Sequence, residues 1–148
     1  MIRLARLLLA TTLAVGGGLG LAQAADPLMA YSETPGICGN EAVLKRIASR
    51  FSYQVQHVPH LPQVAIADFR NISQTRYEPK IAGQKPIERH YCQAQAAMND
   101  GRSHDVWYVV EEPMGFAGLG SNVEFCVAGF DRWKVYDGRC RVLRPALW

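Results

Sequence analysis

The four cysteines, at positions 38, 92, 126 and 140, are the residues whose chemistry most restricts this 148-residue chain. No two of them form a Cys-x-x-Cys pair, the usual spacing of metal-binding or redox cysteines. An even number of well-separated cysteines is typical of disulfides in an oxidising compartment. Three pairings are possible. We favour Cys126 with Cys140, which closes a short loop, and Cys38 with Cys92, which ties a helix start to a central strand; a Cys92–Cys126 bond across neighbouring strands is an alternative.

The four histidines could bind a metal only if the fold brought them together, and their positions do not favour this. His57 and His60 are the closest pair in the chain, but Pro59 between them prevents both from being presented by one helix. In the hairpin described below, His90 and His104 are expected on opposite faces of a sheet. We therefore expect ordinary surface histidines, with no metal and no other cofactor.

Motifs for acid–base or nucleophilic catalysis are also missing from the sequence. The neighbouring Glu111 and Glu112 would point to alternate sides of a strand, so they cannot act as a pair without help from elsewhere. Gly118–Ser121 has neither the spacing nor the strand-to-helix context of a nucleophilic serine. Cysteines held in disulfides supply no thiolate. We expect no catalytic residue, although a curved sheet that encloses a pocket keeps a hydrolase as an alternative.

The first 24 residues have the features of a secretory signal peptide. Arg3 and Arg6 give a positive start, and Leu7–Leu21 is an apolar run of 15 residues. Ala22–Ala24 is a small-residue cleavage site. The apolar run is shorter than the ~20 residues that a spanning helix needs, so no membrane span is expected after cleavage. The sequence thus predicts export to the periplasm or out of the cell.

Cleavage after Ala24 would remove two of the 16 basic residues, leaving 124 residues and lowering the formal net charge from +3 to +1. A nucleic-acid-binding domain usually has a strong basic excess, so nucleic acid is not an expected partner. A chain of this length forms one domain with one core. Residues 25–37 contain two prolines and no periodicity, which predicts an extended lead-in to a domain over 38–148.

Periodicity predicts one amphipathic helix followed by strands. Asn40 is a suitable N-cap, and apolar residues recur at helical spacing, which predicts a helix over 41–53. A first strand is expected over 64–77. Its apolar positions change parity near Ala67-Asp68, which indicates a bulge there.

The central element is a hairpin around Asp100-Gly101, two residues that tolerate the positive φ angles of a two-residue turn. This turn pairs Ala94 with Trp107. It places one set of side chains in the core, namely Cys92, Ala94, Ala96, Trp107 and Val109. A three-residue turn with a bulge would shift the pairing by one residue.

A second hairpin is expected around Asp137-Gly138, after a fourth strand over 122–130. Alternation along it sends Trp133, Val135, Cys140 and Val142 inward. The outward side then gathers a cationic patch formed by Lys134, Tyr136, Arg139 and Arg141. Guanidinium groups bind phosphate and carboxylate well, so an anionic envelope component or another envelope protein is the expected partner. Solvated arginines at a strand edge are the alternative.

The glycine-rich loop over 112–121 carries three large apolar side chains, Met114, Phe116 and Leu119. Its glycines do not match a phosphate-binding loop, because the lysine and the following helix are missing. The three side chains either fold back over the end of the core or form an exposed contact surface for a partner.

One helix followed by an antiparallel meander predicts a disulfide-stabilised α+β fold, with the helix packed on a curved sheet, cystatin-like or nuclear-transport-factor-like in outline. Four motifs mark this meander: Arg89-x-Tyr-Cys-x-Ala-x-Ala-x-x-Asn-Asp-Gly101, Met114-Gly-Phe-Ala-Gly-x-Gly120, Asn122-Val-Glu-Phe-Cys-Val-Ala-Gly129 and Trp133-x-Val-Tyr-Asp-Gly-x-Cys-Arg141. With them, the chain resembles an uncharacterised family of small exported bacterial proteins. The resemblance implies a cysteine-bearing meander and no particular activity.

Two functions are compatible with these observations. The first is a small secreted or periplasmic binding or accessory module of the cell envelope. The second is a small periplasmic hydrolase with a pocket between helix and sheet. Converging histidine and carboxylate groups in a deep pocket would favour the hydrolase, and a filled core would favour the module. The ligand and the oligomeric state are left open.

Overall fold

A computed structural model describes residues 36 to 144 of the chain, so the predicted signal peptide over 1–24 and most of the lead-in over 25–37 lie outside the described residues. The order of elements is helix α1 (Glu41–His57) and strands β1 (Ile66–Glu78), β2 (Glu88–Met98), β3 (Ser103–Glu112) and β4 (Asn122–Val127). The strands form one antiparallel sheet in the order β1-β2-β3-β4, and α1 packs on one of its faces. The predicted α+β fold is confirmed.

Helix α1 begins where its N-cap predicts. The Asn40 side chain accepts hydrogen bonds from the backbone N–H groups of Ala42 and Val43, at 2.9 and 3.4 Å. The buried positions recur every four residues and are Val43, Ile47, Phe51 and Val55. Because Val55 continues this stripe, the helix runs four residues past the predicted end at 53. Just before it, Gly36–Gly39 forms a 3-10 turn, so the lead-in is not extended at its last two residues.

Strand β1 is irregular and pairs with β2 through three register shifts, between Ile66 and Asp68, between Arg70 and Ser73, and between Gln74 and Arg76. The first shift is the bulge predicted near Ala67-Asp68, which is confirmed. Each bulge increases the local twist and bend of a strand. The side of the sheet formed by β1 therefore follows the surface of the helix closely enough to cover it.

The central hairpin forms, but its predicted register is wrong by one residue. Met98 N–H donates to Arg102 O at 2.8 Å, which encloses three residues rather than two, and Gly101 has φ 84°. Cys92 consequently lies opposite Tyr108, and Gln93 lies opposite Trp107. The core on the helix side contains Cys92, Ala94 and Ala96 as predicted, but its residues from β3 are Val106, Tyr108 and Val110.

Tyr108 is the large aromatic residue at the centre of the core and is fully buried. Its hydroxyl donates to Cys38 O at 2.6 Å, which satisfies the one polar group that this ring brings into the interior. Burial raises the pKa of the Tyr108 phenol, because the charged form would lose its hydration. On the helix side of the ring, the small residues Ala94 and Ala96 leave room for α1.

Residues 131–144, the C-terminal segment, contain no strand, so the predicted second hairpin is wrong. Successive turns wind the segment instead, with positive φ at Lys134, Asp137, Gly138, Arg139 and Cys140. Strand β4 likewise ends at Val127 rather than at 130. The segment packs on the sheet face opposite α1, where the buried residues are Val109, Cys126, Cys140 and Leu143.

Trp107 and Val109 belong to this second face rather than to the core under the helix. Val109 is buried there, and Trp107 is half-buried with the Arg144 guanidinium 4.9 Å from its ring centroid. Of the four side chains that the hairpin would send inward, only Cys140 is buried. Trp133, Val135 and Val142 are exposed to solvent by 65, 69 and 60%.

The disulfides join Cys38 to Cys92 and Cys126 to Cys140, with Cα–Cα distances of 5.7 and 5.5 Å. This is the pairing that the sequence analysis favoured. Two disulfides indicate an oxidising, non-cytoplasmic location. Within residues 36 to 144, no helix has the length and apolar character needed to cross a membrane.

Replacing both Cys126 and Cys140 by alanine is expected to lower the free energy of unfolding by about 3 kcal/mol, because the bond closes a loop of 14 residues in the unfolded chain. Urea denaturation of the oxidised proteins measures this loss. A loss of less than about 1 kcal/mol would show that the bond contributes little beyond its local geometry.

Candidate functional site

A cavity of about 510 Å³ lies between the last turns of α1, the end of β4 and the C-terminal segment. This volume is typical of small-ligand sites, which range over roughly 300–1,000 Å³. The predicted space between helix and sheet is instead filled by the core. The large apolar and aromatic groups that line the cavity are Tyr53, Phe125, Phe130, Trp133, Val135 and Tyr136.

The backbone of β4 forms one wall of this cavity, and β4 is an edge strand of the sheet. Ala128 N–H donates to Asp105 O, so Ala128 forms a hydrogen-bonded pair with this residue of β3. In an antiparallel ladder, every second residue repeats such a pair. Residues 122, 124 and 126 therefore exchange hydrogen bonds with β3. Those at 123, 125 and 127 direct their N–H and C=O groups away from it, to the outer edge.

Three side chains from α1 cover most of this outer edge. They are spaced four residues apart, so they project from one side of the helix. Arg46 donates to Ser121 O at 2.7 Å, and Arg50 donates to Val123 O at 2.5 Å. Gln54 donates to Phe130 O at 3.0 Å.

Phe125 lies between these covered positions and keeps an open peptide edge. Val127 O accepts from Phe130 N–H at 3.0 Å, which closes the edge beyond it. Among residues 36 to 144, the backbone N–H and C=O of Phe125 have no hydrogen-bond partner on that side. A strand edge with unpaired N–H and C=O groups is a template for pairing with another extended chain, and Phe125 as a whole is 8% exposed. The cavity thus combines apolar walls with an outward-facing donor and acceptor.

The charged groups of the cavity favour an anionic ligand. Arg50 and Arg132 line it together with one carboxylate, Asp131. The Asp131 carboxylate already accepts the Tyr136 N–H, at 3.2 Å. The pKa of the Tyr136 phenol is raised, chiefly by burial and then by the negative charges of Glu124 and Asp131, while the positive charge of Arg50 opposes the shift. A neutral Tyr136 hydroxyl in a cavity that Arg50 and Arg132 also line suits a carboxylate guest.

One histidine, His57, and one carboxylate, Asp131, are among the residues that line the cavity. His57 is the histidine of its lining, but its Nδ1–H donates to Tyr53 O at 2.8 Å within the helix. Its ring stacks on Tyr53, with centroids 3.8 Å apart. Cys126 is held in its disulfide.

The residues of the predicted cationic patch are dispersed rather than aligned. Tyr136 lines the cavity and is half-buried, whereas Lys134 and Arg139 are exposed on the outer side of the turns. Arg141 is also exposed and pairs with Asp137, with Nη2 3.1 Å from Oδ2. The strand alternation that predicted the patch is absent from the C-terminal segment, but its three cations do reach solvent, and contact of these residues with a partner stays a prediction.

The loop between β3 and β4 lies at the opposite end of the sheet from the cavity. Its apolar side chains do not fold over the core: Phe116 is 97% exposed, Leu119 77% and Met114 41%. Gly115 allows the loop to close, because a Cβ there would collide with Leu119 O. A contact between this loop and a partner stays a prediction.

The sequence did not reveal the cavity because its parts come from distant segments. Arg50 and Gln54 could have been singled out by their four-residue spacing with Arg46 on a polar helix face. The predicted C-terminal hairpin places Trp133 and Val135 in the core, whereas both are exposed and line the cavity. Comparison of the chain with models of protein families found no match, and neither did comparison with curated proteins or with solved structures.

Proposed function

We propose that the protein is a small exported binding module, in the periplasm or outside the cell, that holds a short extended peptide segment in its cavity. The observation that supports this is the open peptide edge of Phe125 beside aromatic walls. Export is supported by the two disulfides and by the predicted signal peptide. Membership of an exported bacterial family stays a prediction.

Strand addition explains both the polar and the apolar parts of the cavity. An extended peptide that pairs with Phe125 would donate to its C=O and accept from its N–H, as peptides do when they extend a sheet edge. Alternate side chains of the peptide would then point to the walls formed by Trp133, Val135 and Tyr53. Because Arg50 and Gln54 cover the edge on both sides, only a short segment can pair.

The arginines specify the chemistry of the guest further. Arg50 uses one nitrogen to bind Val123 O, and Arg132 is exposed at the cavity. Guanidinium groups bind carboxylates more strongly than neutral acceptors. The preferred peptide therefore carries an aromatic or aliphatic side chain next to an acidic residue or a C-terminal carboxylate.

An anionic envelope component is a second candidate partner, at the outer side of the C-terminal segment. The exposure of Lys134 and Arg139 supports it. It is the weaker candidate because Asp137 already neutralises Arg141, and exposed charges are screened over ~8 Å at physiological ionic strength. A peptide bound in the cavity would bury apolar surface in addition to making charge interactions.

Replacing Val135 by tryptophan is expected to weaken peptide binding strongly without destabilising the fold. Val135 lines the cavity and is 69% exposed, so a larger side chain fills the cavity opening while the core is untouched. The matched control is Val142→Trp, in the same segment and 60% exposed but outside the cavity. Fluorescence polarisation of labelled tetrapeptides that combine one aromatic and one acidic residue measures the binding, with untagged oxidised residues 25–148.

Val135→Trp should weaken the best tetrapeptide by at least about tenfold, which is 1.4 kcal/mol, and Val142→Trp should bind like the unmodified protein. Methylation of the peptide nitrogen that faces Phe125 should lower the affinity by a similar factor, because it removes one hydrogen bond between the peptide and the strand. Equal peptide binding by both tryptophan variants would exclude the cavity as the binding site. Unchanged binding of the methylated peptide would exclude strand addition.

A further inference from the structure

Two carboxylates and an imidazole converge at the other end of the sheet from the cavity. Glu88 is the first residue of β2, and it lies directly opposite Glu112, the last residue of β3. His90 follows two positions along β2, so its side chain is on the same face. One ligand atom of each residue lies within 4.8 Å of the other two, and all three are half-buried. We refer to Glu88, His90 and Glu112 as the Glu–His cluster.

The Glu–His cluster carries an excess of negative charge. Like charges directly opposite each other on neighbouring strands are destabilising. Arg89, between Glu88 and His90, points to the other face, where its Nε lies 2.8 Å from Glu111 Oε1. Among residues 36 to 144, the ion pair recorded for the cluster is the one between His90 and Glu88. A neutral imidazole would leave both carboxylates without a positive partner.

The orientation of His90 is fixed from outside the cluster. Its Nδ1 lies 2.8 Å from Gln74 Oε1 on β1. An amide oxygen only accepts hydrogen bonds, so Nδ1 carries the proton and donates it. The ring lies next to that of Tyr77, with centroids 4.8 Å apart and planes tilted by 36°, and Nε2 is directed at Glu88 Oε1 at 2.8 Å.

This arrangement matches that of metal-binding histidines, in which a hydrogen bond at one ring nitrogen orients the other toward the ion. In the neutral ring, Nε2 presents a lone pair to a carboxylate oxygen at 2.8 Å. Two lone pairs at this distance need a proton or a cation between them.

We propose that Glu88, His90 and Glu112 form a binding site for a divalent transition metal ion, with Zn²⁺ as the best fit. One imidazole nitrogen and two carboxylate oxygens are a ligand set that zinc accepts, and three protein ligands leave the fourth position for water. The nitrogen ligand disfavours Mg²⁺ and Ca²⁺, which prefer all-oxygen sites. Ligand atoms around tetrahedral zinc are about 3.4 Å apart. In the Glu–His cluster, His90 Nε2 and Glu88 Oε1 are 2.8 Å apart, and no two of the three ligand atoms are more than 4.8 Å apart.

Small side-chain rotations from the described positions are enough to form the metal-binding geometry. Glu88 Oε1 must move away from Nε2 by roughly half an ångström, and the Glu112 ligand atom already lies within 4.8 Å of the other two. Half-burial allows the ion to enter from solvent while the strands hold the ligand backbones. A bound ion would neutralise the opposed carboxylates and tie the end of β2 to the end of β3.

Isothermal titration calorimetry with ZnCl₂ tests the site, using chelator-treated, untagged, oxidised residues 25–148 at pH 7.5. One Zn²⁺ should bind per chain. Glu112→Gln, which keeps the shape of the side chain, and His90→Ala should each weaken binding by at least tenfold. The matched control His60→Ala removes an exposed histidine outside the cluster and should bind like the unmodified protein. CaCl₂ should bind more weakly than ZnCl₂.

Spectroscopy of the imidazole separates a metal ligand from an ordinary ion pair. In long-range ¹H–¹⁵N spectra, Zn²⁺ should shift the His90 Nε2 resonance and leave Nδ1 protonated. Equal Zn²⁺ affinity in Glu112→Gln and the unmodified protein would overturn the proposal. So would an Nε2 resonance that does not respond to saturating Zn²⁺, since His90 would then be only the cationic partner of Glu88.

Discussion

Replacing Cys38 and Cys92 by alanine is expected to lower the free energy of unfolding by about 4 kcal/mol. The bond spans 54 residues, so its loss frees a long loop in the unfolded chain. Both sulfurs are fully buried in the core beneath α1, where they also contribute apolar packing. Domains of this size are stable by roughly 5–15 kcal/mol, so this variant should unfold at far lower urea concentrations.

Urea denaturation followed by far-UV circular dichroism measures this loss. The matched control is Cys126→Ala with Cys140→Ala, whose loss should be smaller because its loop is shorter. Reducing the unmodified protein should destabilise it by more than either pair of substitutions. A loss of less than about 1 kcal/mol for the first pair would mean that α1 is held to the sheet without the bond.

Truncating Phe51 to alanine is expected to cost about 3–5 kcal/mol, the usual range for a fully buried phenylalanine. Its ring packs edge-on against Phe130, with centroids 4.9 Å apart, and so connects α1 to the start of the C-terminal segment. The substitution therefore removes core packing and one support of the cavity wall. Differential scanning calorimetry and urea denaturation both measure the effect.

Phe116→Ala provides the control for this substitution. The Phe116 side chain is 97% exposed, so the same change of residue should alter stability by less than about 0.5 kcal/mol. A loss of less than about 0.5 kcal/mol for Phe51→Ala as well would contradict the assignment of Phe51 to the core. A loss of about 3–5 kcal/mol for Phe116→Ala would instead contradict the exposure of the loop before β4.

Sequence patterns predicted best those features that depend on neighbouring residues. The start of α1 follows from the capping geometry of Asn40, which needs only the next three residues. The bulge near Ala67-Asp68 follows from a change of parity within one strand. The α+β class follows because one apolar helix stripe and one apolar sheet face can satisfy each other.

The register of the central hairpin shows where such local reasoning ends. Asp100-Gly101 fits a two-residue turn and a three-residue turn almost equally well, and the two differ by which face each strand buries. The packing of Tyr108 against Cys38, 70 residues away, favours the longer turn. This error also placed His90 and His104 on opposite faces, although both lie on the helix side and at opposite ends of the sheet.

The C-terminal segment was mispredicted for a different physical reason. Asp137-Gly138 allows positive φ, as a hairpin requires, but three further residues of the segment, Lys134, Arg139 and Cys140, adopt positive φ as well. Cys140 is bonded to Cys126 and Leu143 is buried on the same sheet face. These long-range contacts pull the segment across the sheet instead of along its edge, and this path creates the cavity.

The Glu–His cluster was missed because it depends on register. Glu88 and Glu112 are 24 residues apart and become neighbours only when the three-residue turn aligns them. With the register shifted by one, Glu111 would lie opposite His90, and Glu112 would move to the other face of the sheet, away from Glu88 and His90. Metal-site motifs with short spacings are visible in a sequence, whereas a site assembled across two strands is visible only when the pairing is known.

The two disulfides have one further property, which concerns the order in which the chain appears. The first cysteine is bonded to the second and the third to the fourth, so neither bond encloses or interleaves with the other. When a chain emerges from a ribosome or a translocation channel N-terminus first, Cys92 meets a single earlier thiol, its native partner. Cys140 then meets only Cys126. An oxidase that joins cysteines in order of emergence thus forms the native set directly, and a disulfide isomerase has nothing to correct.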